Sequence, residues 1–395
     1  MAMSWKTAAG RLLGLTPTDV YFLKSLRHSW WLRRFYRLPL QKFDVPPLPS
    51  VDAEDRALAR RISAFYHRAT ASGSSSLGQR SVMWDRNLAN AQGPLVDALS
   101  KGNEDDLASL LHGFLRNQIV RGIDPGDSYT GRNWRVHSLK LLDALVSLAE
   151  QLGVTPTESG QGRAGGALVN GVGPLVELIQ REIGIEIGAP NVGGPYGIGA
   201  GGQLITMNGP EYVHVAWRLA QASRRYCPGP VDVVEIGAGF GATAFYFLRL
   251  ADVTRYTMVD LPEIAALQAY YLGKCLGADA IRLYGEDHDG KVHIVPPHAL
   301  RDLKSSSILF NQDSLPEIPA DAAKGYLEWA RDSVTGLFFS YNHETLLPNG
   351  QFAVTSIPRL MSEIGGLERV SRDLSWSRPG YVEEIYRPGR SAADF

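Results

Sequence analysis

The pattern at residues 231–241 places the strongest constraint on the fold of this chain. The segment reads Val-Asp-Val-Val-Glu-Ile-Gly-Ala-Gly-Phe-Gly, so an apolar strand runs directly into a glycine turn and then into a helix. Such a turn lets the backbone approach a nucleotide-like ligand at the helix N-terminus. Gly237, Gly239 and Ala242 satisfy the G-x-G-x-x-G/A spacing of dinucleotide sites, a spacing that has low specificity on its own. The segment therefore predicts a βα unit with a ligand site at its turn.

The residues around this unit alternate between short strands and helices. Strands are predicted at 231–236, 256–259, 292–295, 307–310 and 337–341, with two more at 352–357 and 381–386. Helices are predicted at 211–226, 243–250, 263–276 and 320–334. Alternation of β-branched or aromatic strands with helices indicates βαβ units and a parallel sheet. We therefore predict an α/β fold with a Rossmann-like core, a mostly parallel sheet with helices on both faces.

The first half of the chain has helical spacing of its apolar residues. Helices are predicted at 52–71, 95–115 and 133–152, the second of them broken near Gly102, with a polar turn at 122–132. The chain then divides into three predicted parts. These are a mainly helical N-terminal region that forms a lid, a pocket wall or an oligomer contact (1–154), a glycine-rich connecting segment or flap (155–209), and the domain with the glycine turn (210–395).

Glycine is unusually frequent, and it concentrates in the connecting segment. The chain has 41 glycines in 395 residues, roughly 10% against a usual ~7%, and many lie in 160–173 and 188–202. Glycine allows tight turns and close approach of backbone. Two interpretations follow, a mobile loop or a flap over a pocket in which Asn191, Tyr196 and Met207 contact a ligand.

Charge and cysteine content exclude several classes of partner. Lys and Arg number 40 against 41 Asp and Glu, and this balance disfavours bulk binding to nucleic acid or to an anionic membrane. No run reaches the ~20 apolar residues of a membrane span, and the N-terminus has no signal-peptide pattern. Two cysteines, Cys227 and Cys275, indicate a reducing compartment. We therefore expect a cytoplasmic protein that acts on a small molecule, with no nucleic acid and no membrane as partner.

Aromatic and basic residues interleave at residues 21–40, among them Trp30, Trp31 and Arg33. One interpretation is a surface that meets an anionic partner. The favoured one is an amphipathic arm that packs on its own domain or on a second subunit. A homodimer is compatible with this second interpretation.

Two carboxylates distinguish between the ligands that a glycine turn can bind. Glu235 stands two positions before the first glycine, where it would face the pyrophosphate of a dinucleotide. Asp260 ends the next strand, where it can accept both hydroxyls of a ribose, and Leu261 can lie against an adenine. S-adenosylmethionine carries a sulfonium and an amine but no phosphate, so it fits this pair of carboxylates. Glu235 has an alternative interpretation, as a strand-end carboxylate that caps nearby backbone amides.

These residues resemble those of class I S-adenosylmethionine-dependent methyltransferases, and Asp-Leu-Pro at 260–262 recurs in small-molecule O-methyltransferases. The chain is similar in particular to the sugar O-methyltransferase family of antibiotic and surface-polysaccharide biosynthesis. The similarity extends over 187–388, and the segments that carry it are 234–241, 311–317, 339–344 and 380–386. The resemblance implies S-adenosylmethionine as cofactor and methylation of a hydroxyl on a sugar, a sugar nucleotide or a glycosylated natural product. Residues 1–152 match no family.

The resemblance also implies that the reacting groups follow the fourth and fifth strands. Ligands of open α/β sheets bind outside the carboxyl ends of the strands, which is where Asn311 and Asp313 lie. Asn311 would hold the methionine end of the cofactor, and Asp313 would accept a hydrogen bond from the sugar hydroxyl. Asp313 has an alternative interpretation as a carboxylate at a helix N-terminus.

O-methylation benefits from a base that removes the proton of the hydroxyl, and the usual pKa of histidine, about 6.5, suits this role. His343 is the first candidate, with Glu344 or Asp313 polarising it. Asn342 and Glu344 are predicted to face the same pocket and to bind the acceptor. The alternative for His343 is a residue of a surface loop. His214 is the second candidate, although a lone histidine on a helix is more often packed or solvated.

The tail at 376–386 is predicted to form a hairpin that binds the acceptor. Trp376 and Tyr381 would stack on a sugar ring, and Arg378 would reach a diphosphate carrier. The alternative is an ordinary edge strand with mixed residues. The scattered Asp, Asn and Glu oxygens would suit magnesium, but the sequence has no compact ligand set, so we predict that no metal is required.

Two other functions would use the same features. An NAD(P)-dependent reductase would bind a dinucleotide at the glycine turn, which Glu235 disfavours. A binding protein that kept a methyltransferase-like fold but lost turnover would also keep the turn. The presence of Glu235, Asp260 and Asn311 argues against the second alternative.

Overall fold

The computed structural model describes residues 39–71, 75–124, 134–158, 166–344, 354–378 and 380–389. Almost all of the predicted N-terminal arm at 21–40 lies outside these residues, as do most of the polar turn at 122–132 and part of the first glycine-rich stretch. In the part of the chain that is described, every helix is too short or too polar to cross a membrane.

The helices α1 to α11 are, in chain order, Ala53–Ala71, Val82–Asn90, Gly93–Lys101, Glu104–His112, Trp134–Gln151, Val172–Ile183, Gly209–Tyr226, Ala242–Leu250, Pro262–Leu276, Ala320–Ser333 and Ile357–Ile364. The strands β1 to β10 are Gly197–Ala200, Gln203–Thr206, Val231–Ile236, Val253–Val259, Ile281–Leu283, Val292–Val295, Ser306–Gln312, Val334–His343, Leu367–Leu374 and Tyr381–Pro388. The predicted break near Gly102 is confirmed: Gly102, with a φ of +66°, ends α3, and Asn103 caps α4.

Eight strands form one sheet in the order β5-β6-β4-β3-β7-β8-β10-β9. The first six strands of this order run parallel to one another. The strand β10 is antiparallel to both β8 and β9. Val233 packs into a cluster with α7, α8 and α9, and the next residue, Val234, packs into a cluster with α10 and α11. Because successive strand residues point to opposite faces, helices cover both faces. The predicted α/β, Rossmann-like fold class is confirmed.

One predicted strand, at 352–357, is wrong over its described residues, 354–357. The helix α11 begins at Ile357, with a proline in its first turn. Ile357, Leu360 and Met361 are buried at the three- and four-residue spacing of a helix face. The last strand of the sheet in space is β9, which follows this helix.

The strand β10 lies inside the sheet and is not the edge strand of the alternative interpretation, because β9 covers its outer side. Its carboxylates Glu383 and Glu384 are only 4% and 1% exposed. Arg218 binds Glu383, with Nη2 2.6 Å from Oε1, and both Arg369 and Arg372 bind Glu384. Buried carboxylates require such cationic partners, so charged residues are compatible with an interior strand here.

A buried network joins the N-terminal helices to the core. Asp55 of α1 is fully buried, and its Oδ1 accepts a hydrogen bond from the hydroxyl of Tyr270 at 2.7 Å. Lys274 Nζ lies 3.1 Å from the same oxygen, and His112 Nδ1 lies 3.1 Å from Oδ2. Because Tyr270 and Lys274 belong to α9, the network fixes α1 and α4 against the domain that carries the glycine turn.

The described part of the glycine-rich segment packs between the N-terminal helices and α8. The carbonyl of Gly193 accepts from the backbone N–H of Leu115, and the hydroxyl of Tyr246 donates to the carbonyl of Ile187 at 3.1 Å. A Cβ at Gly193 would overlap the ring of Phe114. This position therefore shows the close backbone approach expected of the segment, and its role as a flap stays a prediction.

Candidate active site

The glycine turn lies at the carboxyl end of β3, between the neighbouring strands β4 and β7. Gly237, Gly239 and Gly241 have φ values of +68°, +59° and +92°, a region that residues with a Cβ rarely adopt. No side chain of the described residues caps the following helix α8. The first N–H groups of that helix are therefore available to a ligand.

Two polar side chains bind the backbone carbonyl that comes directly before the turn. Asn311 Nδ2 donates to the carbonyl of Ile236 at 2.8 Å, and the hydroxyl of Ser314 donates to the same oxygen at 2.9 Å. A Cβ at Gly237 would overlap this hydroxyl. Asn311 is fully buried, and its Oδ1 has no hydrogen-bond partner among the described residues. These contacts place Asn311 beneath the turn, and its predicted contact with a cofactor stays a prediction.

Glu235 lies inside the sheet, where it is 2% exposed. Its Oε2 accepts a hydrogen bond from the hydroxyl of Tyr256 at 2.8 Å. Burial raises the pKa of Glu235 to about 8, and the nearby Asp260 acts in the same direction. Capping of backbone amides by Glu235 is not seen among the described residues, since its partner is the tyrosine. Direct contact of Glu235 with a cofactor stays a prediction.

Asp260 lies beside the turn at the carboxyl end of β4. Its Oδ1 accepts from the backbone N–H of Leu261 at 2.8 Å, and its Oδ2 accepts from Gln268 Nε2 at 2.6 Å. Burial raises its pKa to about 7, against the effect of these bonds and of the backbone N–H of Ala238. The carboxyl of Asp260 is therefore fixed next to the glycine turn.

A second polar cluster lies at the carboxyl ends of β7 and β8, centred on Asp313. Its Oδ1 accepts from the hydroxyl of Tyr381 at 2.7 Å, and its Oδ2 accepts from Arg378 Nη1 at 2.9 Å. Among the described residues, Asp313 is the one non-glycine residue with positive φ, +62°. Such a conformation costs on the order of 1 kcal/mol, so this network holds the carboxylate in a strained position. These contacts replace the alternative of a simple helix N-terminal carboxylate.

The structure brings His343 to this cluster. His343 Nε2 lies 3.7 Å from Asp313 Oδ1, and its ring centroid is 5.3 Å from that of Tyr381. Burial lowers the pKa of His343, while the charge of Asp313 raises it and that of Arg378 lowers it. A histidine that is neutral at neutral pH beside a carboxylate has the arrangement of a general base.

The prediction that Asn342 and Glu344 face the same pocket as His343 is wrong. Successive residues of a strand point to opposite faces. Asn342 Nδ2 donates to the hydroxyl of Ser340 at 2.8 Å, on the face opposite His343. Glu344 binds Arg372 at 2.6 Å, and Arg372 also binds Glu384 on that opposite face.

His214 is not positioned as a base. It is 5% exposed, and its Nε2 accepts a hydrogen bond from the indole N–H of Trp376 at 3.1 Å. Burial lowers the pKa of His214 to about 3, with a further effect of Arg218. The lone pair that a base requires is therefore occupied. The indole N–H of Trp376 is donated to His214. The stacking of Trp376 on a sugar stays a prediction.

Three site residues were not predicted from the sequence: Glu211, Trp84 and Glu317. Arg378 Nη1 also donates to Glu211 Oε1, at 3.1 Å. Trp84 Nε1 donates to Glu317 Oε2 at 3.1 Å, and burial followed by the charge of Asp313 raises the pKa of Glu317 to about 8. Glu317 closes one of the segments that carry the resemblance, which is a usable signal. Glu211 and Trp84 had no such signal, because both come from distant helices.

Asp313, Glu317 and His343 each bring one donor atom within 4.8 Å of the others. Carboxylate oxygens and an imidazole nitrogen are donors that a divalent cation can use. Here, however, Asp313 already receives hydrogen bonds from the Arg378 guanidinium and from Tyr381. Because the guanidinium supplies the positive charge beside Asp313, we assign no metal to these residues.

A crevice lies beside the glycine turn, with an empty volume of about 480 Å³ that includes open solvent. Its walls are mostly apolar or aromatic, and they come from the N-terminal region, the glycine-rich segment and the core: Leu115, Asp124, Ala189, Pro190, Pro195, Tyr196, Thr206, Met207, Tyr212, Phe240, Ala242, Tyr246 and Tyr271. Tyr196 and Met207, two of the predicted ligand contacts, line it, and Asn191 does not. The crevice shows that all three predicted parts of the chain meet near the turn.

No protein-family model matches the chain, and no curated protein matches it. Similar solved structures include the 1,6-didemethyltoxoflavin-N1-methyltransferase of Burkholderia thailandensis with bound S-adenosylhomocysteine, at 19% identity over 45% of this chain and 79% of that chain (TM-score 0.32). They also include a glycopeptide N-methyltransferase with sinefungin, at 15% identity over 45% and 94% (TM-score 0.33). A third is the magnesium protoporphyrin IX methyltransferase of Synechocystis, at 13% identity over 45% and 78% (TM-score 0.32). The fold of this chain follows from the order of its own eight strands.

Proposed function

We propose that the chain is an S-adenosylmethionine-dependent methyltransferase that methylates a hydroxyl of a sugar. One observation carries the proposal: the glycine turn and the His343–Asp313 pair emerge at the same edge of the sheet. Ile236, Asn311 and Ser340 lie side by side in register on β3, β7 and β8. The residues that follow them therefore lie at the same carboxyl edge of the sheet, which is where open α/β sheets bind ligands.

The residues at β3 and β4 fit S-adenosylmethionine. The turn has no Cβ at Gly237 or Gly239, so the backbone itself can approach the cofactor. Asp260 would accept the ribose hydroxyls, and Leu261 would lie against the adenine. When bound, S-adenosylmethionine supplies an electrophilic methyl group on a positively charged sulfur. Burial raises the pKa values of the two carboxyl groups near the turn, Glu235 and Asp260, to about 8 and about 7, so they offer the cofactor hydrogen-bonding groups more than negative charge.

The residues at β7 and β8 fit proton removal from an alcohol. Neutral His343 would take the proton of the acceptor hydroxyl at Nε2, and the carboxylate of Asp313 would stabilise the imidazolium that forms. Tyr381 and Arg378 hold this carboxylate in place. Because Arg378 is bound to both Asp313 and Glu211, we propose a supporting role for it in place of recognition of a diphosphate.

The acceptor class follows from the sequence resemblance and from this polar cluster. We propose a sugar, a sugar nucleotide or a glycosylated natural product, in natural-product or polysaccharide biosynthesis. The cytoplasmic location, the absence of a metal requirement and a homodimer remain predictions of the sequence.

Transfer of tritium from S-[methyl-³H]adenosylmethionine to a panel of nucleoside-diphosphate hexoses tests this function. The proposal expects label in the sugar with the wild-type protein and far less with His343→Ala. Oxidation of NADPH with the same sugars, without methyl transfer, would favour the reductase alternative. Binding of S-adenosylhomocysteine without transfer to any acceptor would favour a non-catalytic protein.

A further inference from the structure

Glu317 joins the N-terminal helices to the core just beyond the carboxyl end of β7. It closes the short 3-10 turn Leu315–Glu317 that follows β7. Its Oε2 accepts a hydrogen bond from the indole N–H of Trp84 on α2, at 3.1 Å across 233 positions of sequence. The mechanism described above uses neither residue.

The carboxyl of Glu317 faces the same small space as the proposed base. One carboxyl oxygen of Glu317, one of Asp313 and one ring nitrogen of His343 lie within 4.8 Å of one another. Two atoms at this separation can both reach one hydroxyl, or two adjacent hydroxyls, at the ~2.8 Å of a hydrogen bond. A group that delivers its proton to His343 therefore lies within reach of Glu317.

The surroundings of Glu317 decide which partner it offers. Burial raises its pKa to about 8 and the charge of Asp313 acts in the same direction, while Trp84 and the charge of Arg378 act against them. The carboxyl group is therefore protonated at neutral pH. Because Oε2 accepts the indole N–H, the proton resides on Oε1, which becomes a donor.

We propose that Glu317 is a further acceptor-binding residue, which donates a hydrogen bond to the oxygen adjacent to the methylated hydroxyl, and that Trp84 is a positioning residue for it. This inference rests on the proposed function, and it specifies the acceptor as an uncharged vicinal diol. The bond goes to the adjacent oxygen because a donor to the reacting oxygen would withdraw the electron pair that attacks the methyl group. A protonated amine at the adjacent position would meet a donor where it needs an acceptor.

The inference predicts a pH dependence of acceptor binding. The charged and titratable groups that act on Glu317 are Asp313, Arg378 and His343 from the core, and the contact from α2 is the uncharged indole of Trp84. As the pH rises through about 8, Glu317 loses its proton and can no longer donate a hydrogen bond to the acceptor. The KM of the acceptor should therefore rise above pH 8, while kcat changes little.

Methyl transfer to a nucleoside-diphosphate hexose and to its 2-amino-2-deoxy counterpart, measured from pH 6 to 9.5, tests the inference. Glu317→Ala should raise the KM of the hexose about tenfold at pH 7. Glu317→Gln keeps a donor that does not ionise, so it should restore binding and remove the rise above pH 8. Trp84→Phe should raise KM less than Glu317→Ala. Glu328→Gln on the surface of α10 and Trp329→Phe, which loses an indole bond to Leu303, are the matched controls.

Titration of S-adenosylhomocysteine shows whether each variant is folded and separates the possible failures. An unchanged KM in Glu317→Ala across the pH range, or a preference for the amino sugar, would overturn the inference and leave the methyltransferase in place. The enzyme could transfer methyl to neither sugar, and neither sugar could bind the complex with S-adenosylhomocysteine. That result would overturn the claim that the acceptor is a vicinal diol. If the wild-type protein did not bind S-adenosylhomocysteine, the proposed function itself would be overturned.

Discussion

The two halves of the candidate site obtain their geometry in different ways. At β3 and β4 the backbone sets it, through glycines with positive φ such as Gly237. At β7 and β8 a network of side chains sets it, in which Arg378 joins Asp313 to Glu211. The first half depends on a short stretch of sequence, and the second depends on groups from β7, α7, β8, β10 and the loop before β10. Substitutions of the turn glycines should therefore abolish binding, whereas substitutions in the side-chain network should act more gradually.

The largest effect is expected at the glycine turn. Gly237→Ala introduces a Cβ that overlaps the Ser314 hydroxyl, in a backbone with φ of +68°. We expect a destabilisation of roughly 2–4 kcal/mol and no detectable binding of S-adenosylhomocysteine by calorimetry. Gly184→Ala is the control, because Gly184 also has a positive φ, +88° with ψ +9°, and no atom lies within 4 Å of its Cβ. It should cost only about 1 kcal/mol and keep binding; equal behaviour of the two variants would mean that crowding at the turn is irrelevant.

A smaller effect is expected at the side-chain network. His343→Ala should lower turnover about 10²- to 10⁴-fold and leave binding of S-adenosylhomocysteine unchanged, since His343 lies outside the turn. Because burial lowers the pKa of His343, the wild-type rate should fall on the acid side only below pH 6.5. His67→Gln, an exposed histidine of α1, serves as the control. Full turnover in His343→Ala would remove this residue from the mechanism.

A pH-dependent effect on stability is expected inside the sheet, at Glu235. Its pKa in the folded protein is about 8 against an ordinary 4.5, so the unfolded chain ionises first as the pH rises. The free energy of unfolding should therefore fall as the pH rises from about 4.5 to about 8. Glu235→Gln should be less sensitive to pH, measured by urea unfolding at pH 5 and 8. Asp260, whose pKa is also raised, remains in both proteins, so Glu235→Gln should keep part of the pH dependence; parallel pH curves would contradict the burial argument.

The same contrast explains how much the sequence could predict. The strands and helices around the glycine turn, and the place of Asp260 beside it, follow from local patterns of apolar residues and glycines. The shared pocket expected for Asn342, His343 and Glu344 did not form, because neighbouring residues at the end of a strand point to opposite faces; the acceptor-binding roles of Asn342 and Glu344 stay predictions. Trp84 and Glu211 were missed because their contacts with Glu317 and Arg378 depend on how distant helices pack.

The strand predicted at 352–357 failed for a related reason. Its apolar residues are compatible with either period over so short a range. The proline in the first turn and the spacing of Ile357, Leu360 and Met361 favour the helix that forms. Short apolar segments of this kind are decided by the surface on which they pack.

Calorimetric titration with S-adenosylhomocysteine tests the central claim most directly. We predict that the wild-type protein binds it, and that Asp260→Asn weakens binding about 10- to 100-fold, because the amide offers the ribose hydroxyls one acceptor oxygen where the carboxyl offers two. NADPH should bind much more weakly than S-adenosylhomocysteine. Tighter binding of NADPH, with S-adenosylhomocysteine unaffected by Asp260→Asn, would contradict a methyltransferase site at the glycine turn.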